Sequence, residues 1–438
     1  MKKFLALMFM WMTAATWVST IGVSTTCVAQ GNPTTSTNPT TSAAEPSPAE
    51  RSIAEAQRTI GEKPEQYTGY NLLATALIHR ARETSEARYY AQADNAIEKS
   101  LQLAPNNFDT RKIQVSILLG EHEFPAALDA AQALNKQSLD DVMVYGLLTV
   151  AYAELGDYKD AETAAQWMLN LRPGNLPALI NAARLRELFG DIDGSYELLQ
   201  MAYDSTPPTE NEQRAWLLTQ MGHLRVASGN TDAAEKLLQQ ALASFPSYPL
   251  SVGALAEVRI AQKRYEEAVV LLRQRYQATS RTANLFDLAK ALRLAGHEGE
   301  AKQAFAEFES KALLESSKKD NSNRELIFYY ADYAKQPAKA LKVAEQEYAW
   351  RKDVYTLDAY AWALHVNGQD VEARKQIETA LQVGIRDAKL FRHAGEIALK
   401  SGDSVAAQNH LRQSAELNTA DSEQARVELA SLLGARSR

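Results

Sequence analysis

Apolar side chains recur along most of the chain at three- and four-residue spacing, in short runs separated by polar turns, which is the period of amphipathic helices. Residues 145–173, YGLLTVAYAELGDYKDAETAAQWMLNLRP, carry the pattern most plainly. Tyr145, Leu148, Thr149 and Tyr152 fall on one face of a first helix, and Ala161, Ala165 and Met168 on one face of a second. Gly156-Asp157 makes the turn between them, and Pro173 ends the unit because proline cannot continue a helix. The small Ala161 and Ala165 let the two backbones approach, so that Leu148 and Tyr152 fill the space around them.

The same unit recurs on both sides. A lone leading helix, with Ile53, Ala56, Gln57 and Ile60 on one face, comes first. Next comes a pair with Tyr70, Leu73, Ala74 and Leu77 facing Ala93, Ile97 and Ser100, whose turn has extra residues around 83–87. The second pair is read from Ile113, Ile117, Ala126, Ala130 and Ala133. After the stretch described above, the fourth to seventh pairs carry Ala183 and Ser195, Gly222 and Ala234, Ala256 and Ala268, and Ala289 and Ala301. Pro173 and Pro207 are 34 residues apart, and so are Ala373 and Ala407 in the last two pairs. The eighth unit is abbreviated, running from Tyr329, Tyr330 and Tyr333 through Pro337 into Ala340 and Ala344. A final helix with Ala425, Leu429 and Leu432 on one side has a charged opposite face, as a solvent-facing cap requires.

This aromatic, Leu, Gly, Tyr, Ala, aromatic, Pro pattern resembles the tetratricopeptide repeat (TPR), with Thr149 in place of the usual glycine. The resemblance implies an all-α fold, a right-handed α-solenoid of about ten TPR-like helix-turn-helix repeats with a C-terminal capping helix.

The two ends of the chain read differently. Lys2 and Lys3 precede an apolar run over residues 4–23, and Cys27-Val28-Ala29 forms a small-residue exit, so 1–29 is expected to be a secretory signal cleaved after Ala29. An uncleaved anchor is the rival, as is a lipoprotein signal at Cys27, which Ser24-Thr25-Thr26 fits poorly. Residues 30–48, rich in Thr, Ser, Pro and Asn, are expected to be a disordered linker. A first repeat array is expected over 49–314, a linker or hinge over 315–324, where ESSKKDNSN breaks the register, and a second array with its cap over 325–438.

Composition narrows the chemistry. With 47 basic against 54 acidic residues and a net charge of -7, the chain has no basic footprint for nucleic acid. Its single cysteine, Cys27, excludes a disulfide framework. The seven histidines fall in different repeats, and none has a partner at metal-ligand spacing, so neither a metal nor another cofactor is expected. There is no phosphate loop and no serine nucleophile elbow, and the expectation is a protein that is not an enzyme.

The resemblance then implies where binding occurs. In that family the first helices line a concave groove, and carried over by position this places Asn71, Arg111, Lys112, Asn181, Arg184, Gln220, His223, Asp287, Lys290, Arg293, Trp362, His365, Arg392 and His393 there. Asn181, Arg184, His223, Lys290, Arg293, Trp362, His365 and Arg392 are the partner-binding residues expected. Two ordinary readings stand beside this: Arg184 pairing with Glu187 on its own helix, and Asp287, Lys290 and Arg293 forming a self-compensating row. A carboxylate clamp is not expected, since Gly146, Leu147 and Val150 interrupt the basic and polar positions. The expected function is a scaffold of the cell envelope, periplasmic or secreted, that takes a peptide or helix of a partner protein. Membrane association is expected only if the N-terminal segment stays uncleaved or Cys27 is lipidated. The alternative is a carbohydrate or small-ligand site in the aromatic region near Trp362.

Overall fold

The structure is a computed structural model that describes residues 46–319, 321–417 and 419–436. The expected signal, its cleavage point and nearly all of the expected linker lie outside the described residues.

Among the described residues there are twenty-two α-helices, one π-helical turn and no strand. A leading helix, α1 (Pro48–Glu62), is followed by the pairs α2 (Tyr67–Thr84) and α3 (Arg88–Leu103), α4 (Phe108–Gly120) and α5 (Phe124–Asn135), and α6 (Val142–Glu154) and α7 (Tyr158–Leu171). Next are α8 (Leu176–Leu188) and α9 (Ile192–Ser205), α10 (Asn211–Ala227) and α11 (Thr231–Ser244), and α12 (Pro249–Ala261) and α13 (Tyr265–Ala278). Then come α14 (Thr282–Leu294) and α15 (Glu298–Glu315), followed by α16 (Asn323–Phe328), which runs through the π turn Tyr329–Tyr333 before α17 (Pro337–Trp350). The chain ends with α18 (Val354–Val366) and α19 (Asp370–Val383), α20 (Ala388–Lys400) and α21 (Ser404–Glu416), and α22 (Ala420–Arg436).

Local chemistry sets these boundaries. Asn107, Asp141, Asn175 and Asp387 each cap a first helix by accepting a backbone N–H two or three residues into it. Within each pair the expected small residues are at the contact: Ala161, Ala234, Ala268, Ala373 and Ala407 have essentially no exposed area. In α5 the buried face is Phe124, Ala127, Ala131 and Leu134, one residue out of phase with the expected Ala126, Ala130 and Ala133. The helix is so rich in alanine that small residues mark two faces, and only the larger Phe124 and Leu134 decide between them.

The first turn also differs from expectation. Its extra length is helical, and Glu83, expected in the turn, lies inside α2 at 5% exposure. Its carboxylate accepts from Ser47 Oγ (2.5 Å), the Ala49 N–H (3.0 Å) and Arg80 (2.9 Å), so it fastens the start of α1. Replacing Glu83 with Ala leaves the buried Ala49 N–H unsatisfied and should cost about 1–3 kcal/mol. Hydrogen exchange should report this loss as faster exchange over α1.

First helices of successive pairs mostly pack against one another while second helices splay outward, which curves the array with its first helices inside. The curvature is tight enough to close. The α2–α3 turn meets the α13–α14 loop, where Thr279 Oγ1 donates to the Thr84 carbonyl (2.7 Å) across 195 residues. At the α6–α7 turn, Tyr158 Oη accepts from the Val354 N–H (2.8 Å) across 196 residues. The α8–α9 turn meets the α19–α20 loop at Gly190 and Gly384, and the α10–α11 turn meets the α21–α22 loop at Gly229 and Glu416. Each contact joins elements eleven helices apart, so the solenoid makes a full turn every five and a half pairs. The second turn rests end-on upon the first.

Candidate functional site

Eleven helices per turn make the interior narrow. With neighbouring inner helices about 8–10 Å apart, their axes lie roughly 8–9 Å from the superhelix axis, and side chains reaching about 5–6 Å leave an interior about 6 Å across. The last turns of α6 and α8 there face the first turns of α16, α18 and α20. This junction collects Glu154, Arg184, Glu187, Arg324, Tyr355, Asp387 and Lys389.

These side chains are wet and crowded at once. The side chains of Arg184 and Arg324 are 46% and 33% exposed, and yet burial is the largest single influence on the pKa of each. That combination is what a narrow water-filled interior produces. Arg184 is ion-paired with Glu154 of the preceding first helix, and this pairing overrides burial and holds its pKa above the ordinary value. The partner is therefore Glu154, where the sequence suggested Glu187. Burial instead raises the Glu187 carboxyl against the opposing pull of His223 and Arg184. Burial raises the Tyr355 phenol, helped by Glu187 and Asp387, and the Arg324 guanidinium lies 5.7 Å from the same ring. Asp387 is raised by burial although it caps α20, and Lys389 sits 4.4 Å from the Phe328 ring.

The other expected binding residues separate into two groups. His223 is 39% exposed on the inner side of α10, with Glu257 3.9 Å away. Lys290 is 3.6 Å from Asp287 and over the Phe286 ring at 5.3 Å. Burial alone lowers its pKa, but Asp287, Tyr333, Asp421 and Glu257 together raise it. Arg293 lies over the Tyr333 ring at 5.2 Å. Asp287 also meets Arg275 (3.2 Å), so this row is largely compensated. Asn181 spends its amide on the Pro177 carbonyl of its own helix (3.0 Å).

Trp362 and Arg392, expected in the groove, are instead buried at 5% and 4% exposure. The π turn brings Asp332 to the indole N–H (2.9 Å), and the ring stacks on His393 at 4.1 Å with the Arg392 guanidinium 5.2 Å from its centre. His393 has no exposed area, meets Asp358 through Nδ1 (2.8 Å) and takes Arg392 at Nε2 (3.0 Å), an arrangement that fits an Nδ1–H tautomer. His365 is half-buried and bonded to Asp370 (2.7 Å), and its ring also lies against Trp362. A sugar platform needs an open ring face, and Trp362 does not offer one, which overturns the carbohydrate or small-ligand reading centred on it.

Sequence reasoning missed Glu154, Arg324, Tyr355, Asp387 and Lys389. Each sits near the end of a first helix, a position that matters only where one superhelical turn meets the next. The signal available was the polar character of these helix ends, but nothing in it links residues some two hundred positions apart.

A family profile described as tetratricopeptide repeat matches residues 225–278, from the end of α10 to the end of α13. No curated protein matches the chain. Among solved structures, the Cut9-Hcn1 hetero-tetramer of APC/C aligns over 79% of this chain and 58% of its own, at 14% identity and a TM-score of 0.47. The chain therefore spans under two thirds of that protein's length. PilW, a type IV pilus biogenesis factor, aligns over 46% of this chain and 92% of its own (14% identity, TM-score 0.41). The human IFIT1 dimer with PPP-AAAA aligns over 85% and 96% (12% identity, TM-score 0.47). The matched segment is one and a half of the helix pairs that the described residues repeat, with small Ala234 and Ala268 at the contacts, so residues 225–278 carry tetratricopeptide repeats within an all-α helix-pair solenoid.

Proposed function

We propose that this protein is a non-enzymatic interaction scaffold of the cell envelope that holds an extended peptide of a partner protein along its inner wall. Helix-pair solenoids serve as preformed interaction surfaces, because the receptor is ordered before the ligand arrives. The observation that carries the reading is the wet, charged junction between the two superhelical turns, where Glu187 and the Tyr355 hydroxyl have no hydrogen-bond or ion-pair partner among the described residues. Tyr355 is 41% exposed and Glu187 partly so, and both therefore face the water of the interior, which a polar ligand that meets them displaces. An extended chain suits an interior about 6 Å across, whereas a helix, about 10–12 Å wide, requires the solenoid to open. The signal-like segment 1–29 supports an exported, periplasmic or secreted location.

The test is a photo-crosslinking residue at position 355 in the full chain, expressed in the cells it comes from. One defined adduct is expected at this position, and none from the same residue at Val270, which is 66% exposed on α13. An adduct pattern shared by both positions, or none at position 355, overturns the reading.

A further inference from the structure

Among the described residues, α22 stands in the place of a first helix with no second helix packed on it. α22 packs on α20 and α21 where the next pair begins, and its start also touches α12. That start is fastened well: Ser422 Oγ donates to the Ser414 carbonyl (2.6 Å), and Lys263 reaches Glu423 (3.1 Å). Farther along, the helix places Glu428 against Arg392 and Glu396 of α20. Arg392 is already bonded to Glu396 (2.5 Å), and its Nε lies 3.5 Å from Asp421. Glu428 Oε2 is buried with no hydrogen-bond partner. Three carboxyl groups, Glu396, Asp421 and Glu428, thus converge on one arginine, and like charges so placed cannot all ionise without penalty.

Among the described residues, Arg392 is the cation that acts on Glu428. From α21 the neighbours of α22 are backbone carbonyls, Ser414 to Ser422 and Ala415 to Arg426, while Arg412 and Glu416 are exposed and His410 turns to Gln413 (3.3 Å). From the α12–α13 turn the ion pair is Lys263 to Glu423, more than a helical turn before Glu428. On α22 itself Gln424 is the near polar group.

We propose that Glu428 docks against Glu396 as the protonated acid and that loss of this proton unseats α22 from α20, making α22 a pH-dependent cover over this face of α20. Burial first, and then the Glu396 carboxylate, push Glu428 up to about 7. Because this pKa is raised on docking, the docked helix binds the proton more tightly than the released one. Docking is therefore unpenalised below the ordinary carboxyl range, weakens as pH rises from about 4.5 to about 7, and is constant above that. One proton changes the released-to-docked ratio by at most about tenfold per pH unit. Release uncovers Arg392 and Glu396.

Hydrogen exchange of the full chain between about pH 5 and 8, corrected for intrinsic exchange, tests this. In the wild type, protection over residues 421–434 should fall by up to about tenfold per pH unit up to about pH 7, while α14 keeps its protection. Glu428→Gln should keep α22 protected and remove the pH dependence, and Glu396→Gln, with Glu428 intact, should reduce it, the part due to burial of Glu428 remaining. Protection independent of pH in the wild type overturns the proposal. So does a pH dependence that survives in both variants, since it then belongs to another group, such as His393.

Discussion

Gly156→Ala should destabilise the protein by about 1–3 kcal/mol more than Gly296→Ala, although the two glycines occupy the same turn position with nearly the same backbone, φ 82° and 83°. Both substitutions force alanine into the left-handed region, at about 1–2 kcal/mol each. They differ in what lies outside the turn. A Cβ on Gly156 meets the Lys352 carbonyl oxygen at 2.5 Å, in the loop of the next superhelical turn, while a Cβ on Gly296 has nothing within 4 Å. The first must push two backbones apart and the second need not. Denaturant midpoints give the difference, and small-angle scattering should show a larger radius of gyration for Gly156→Ala alone. Equal effects on both readouts would mean that the seam between the turns is not closed in solution.

Glu347→Ala is the second large effect, expected at about 3–5 kcal/mol, because it leaves the buried Arg351 with only its longer contact to Asp353 (3.9 Å). Glu347 is 1% exposed on α17 and accepts from Arg351 Nε (2.5 Å) and from Asn323 Nδ2 (3.0 Å). Asn323, with no exposed area, begins α16, so the carboxylate ties the register break of the eighth unit to the helix that follows it. Hydrogen exchange should accelerate over residues 321–328 well before the rest of the chain unfolds. Glu347→Gln keeps an acceptor for Asn323 and should lose less. If the alanine variant leaves exchange at 321–328 unchanged, the carboxylate does not hold this segment.

The repeat was legible because it rests on short-range rules. Tyr145, Leu148, Ala161 and Met168 are buried as their spacing predicts, and the same holds for Ala234, Leu238 and Ala241. Where local signals are degenerate the reading slipped: alanines on several faces of α5 moved its phase by one residue, and a polar, turn-like 83–87 concealed a buried helical glutamate. The inner wall was legible in part, since Arg184, His223, Lys290 and Arg293 belong to first helices that line the inside. Trp362 was misplaced because its ring is taken up by Asp332 of the π turn Tyr329–Tyr333 and by His393 of α20, contacts between separate helices that no pattern of apolar residues records.

By itself the sequence determined the unit, its order and its contacts, since helix periodicity, proline stops and small residues at helix crossings act within one pair. Only the tertiary structure decided the pitch. Each pair is rotated slightly on the one before, and these rotations accumulate through the packing of every pair until Gly156 reaches Lys352 and Tyr158 reaches Val354. That sum closes the groove into a narrow interior and brings Arg184 and Glu187 to Tyr355 and Asp387, because a small change per pair, invisible in any one of them, becomes contact or separation after five and a half.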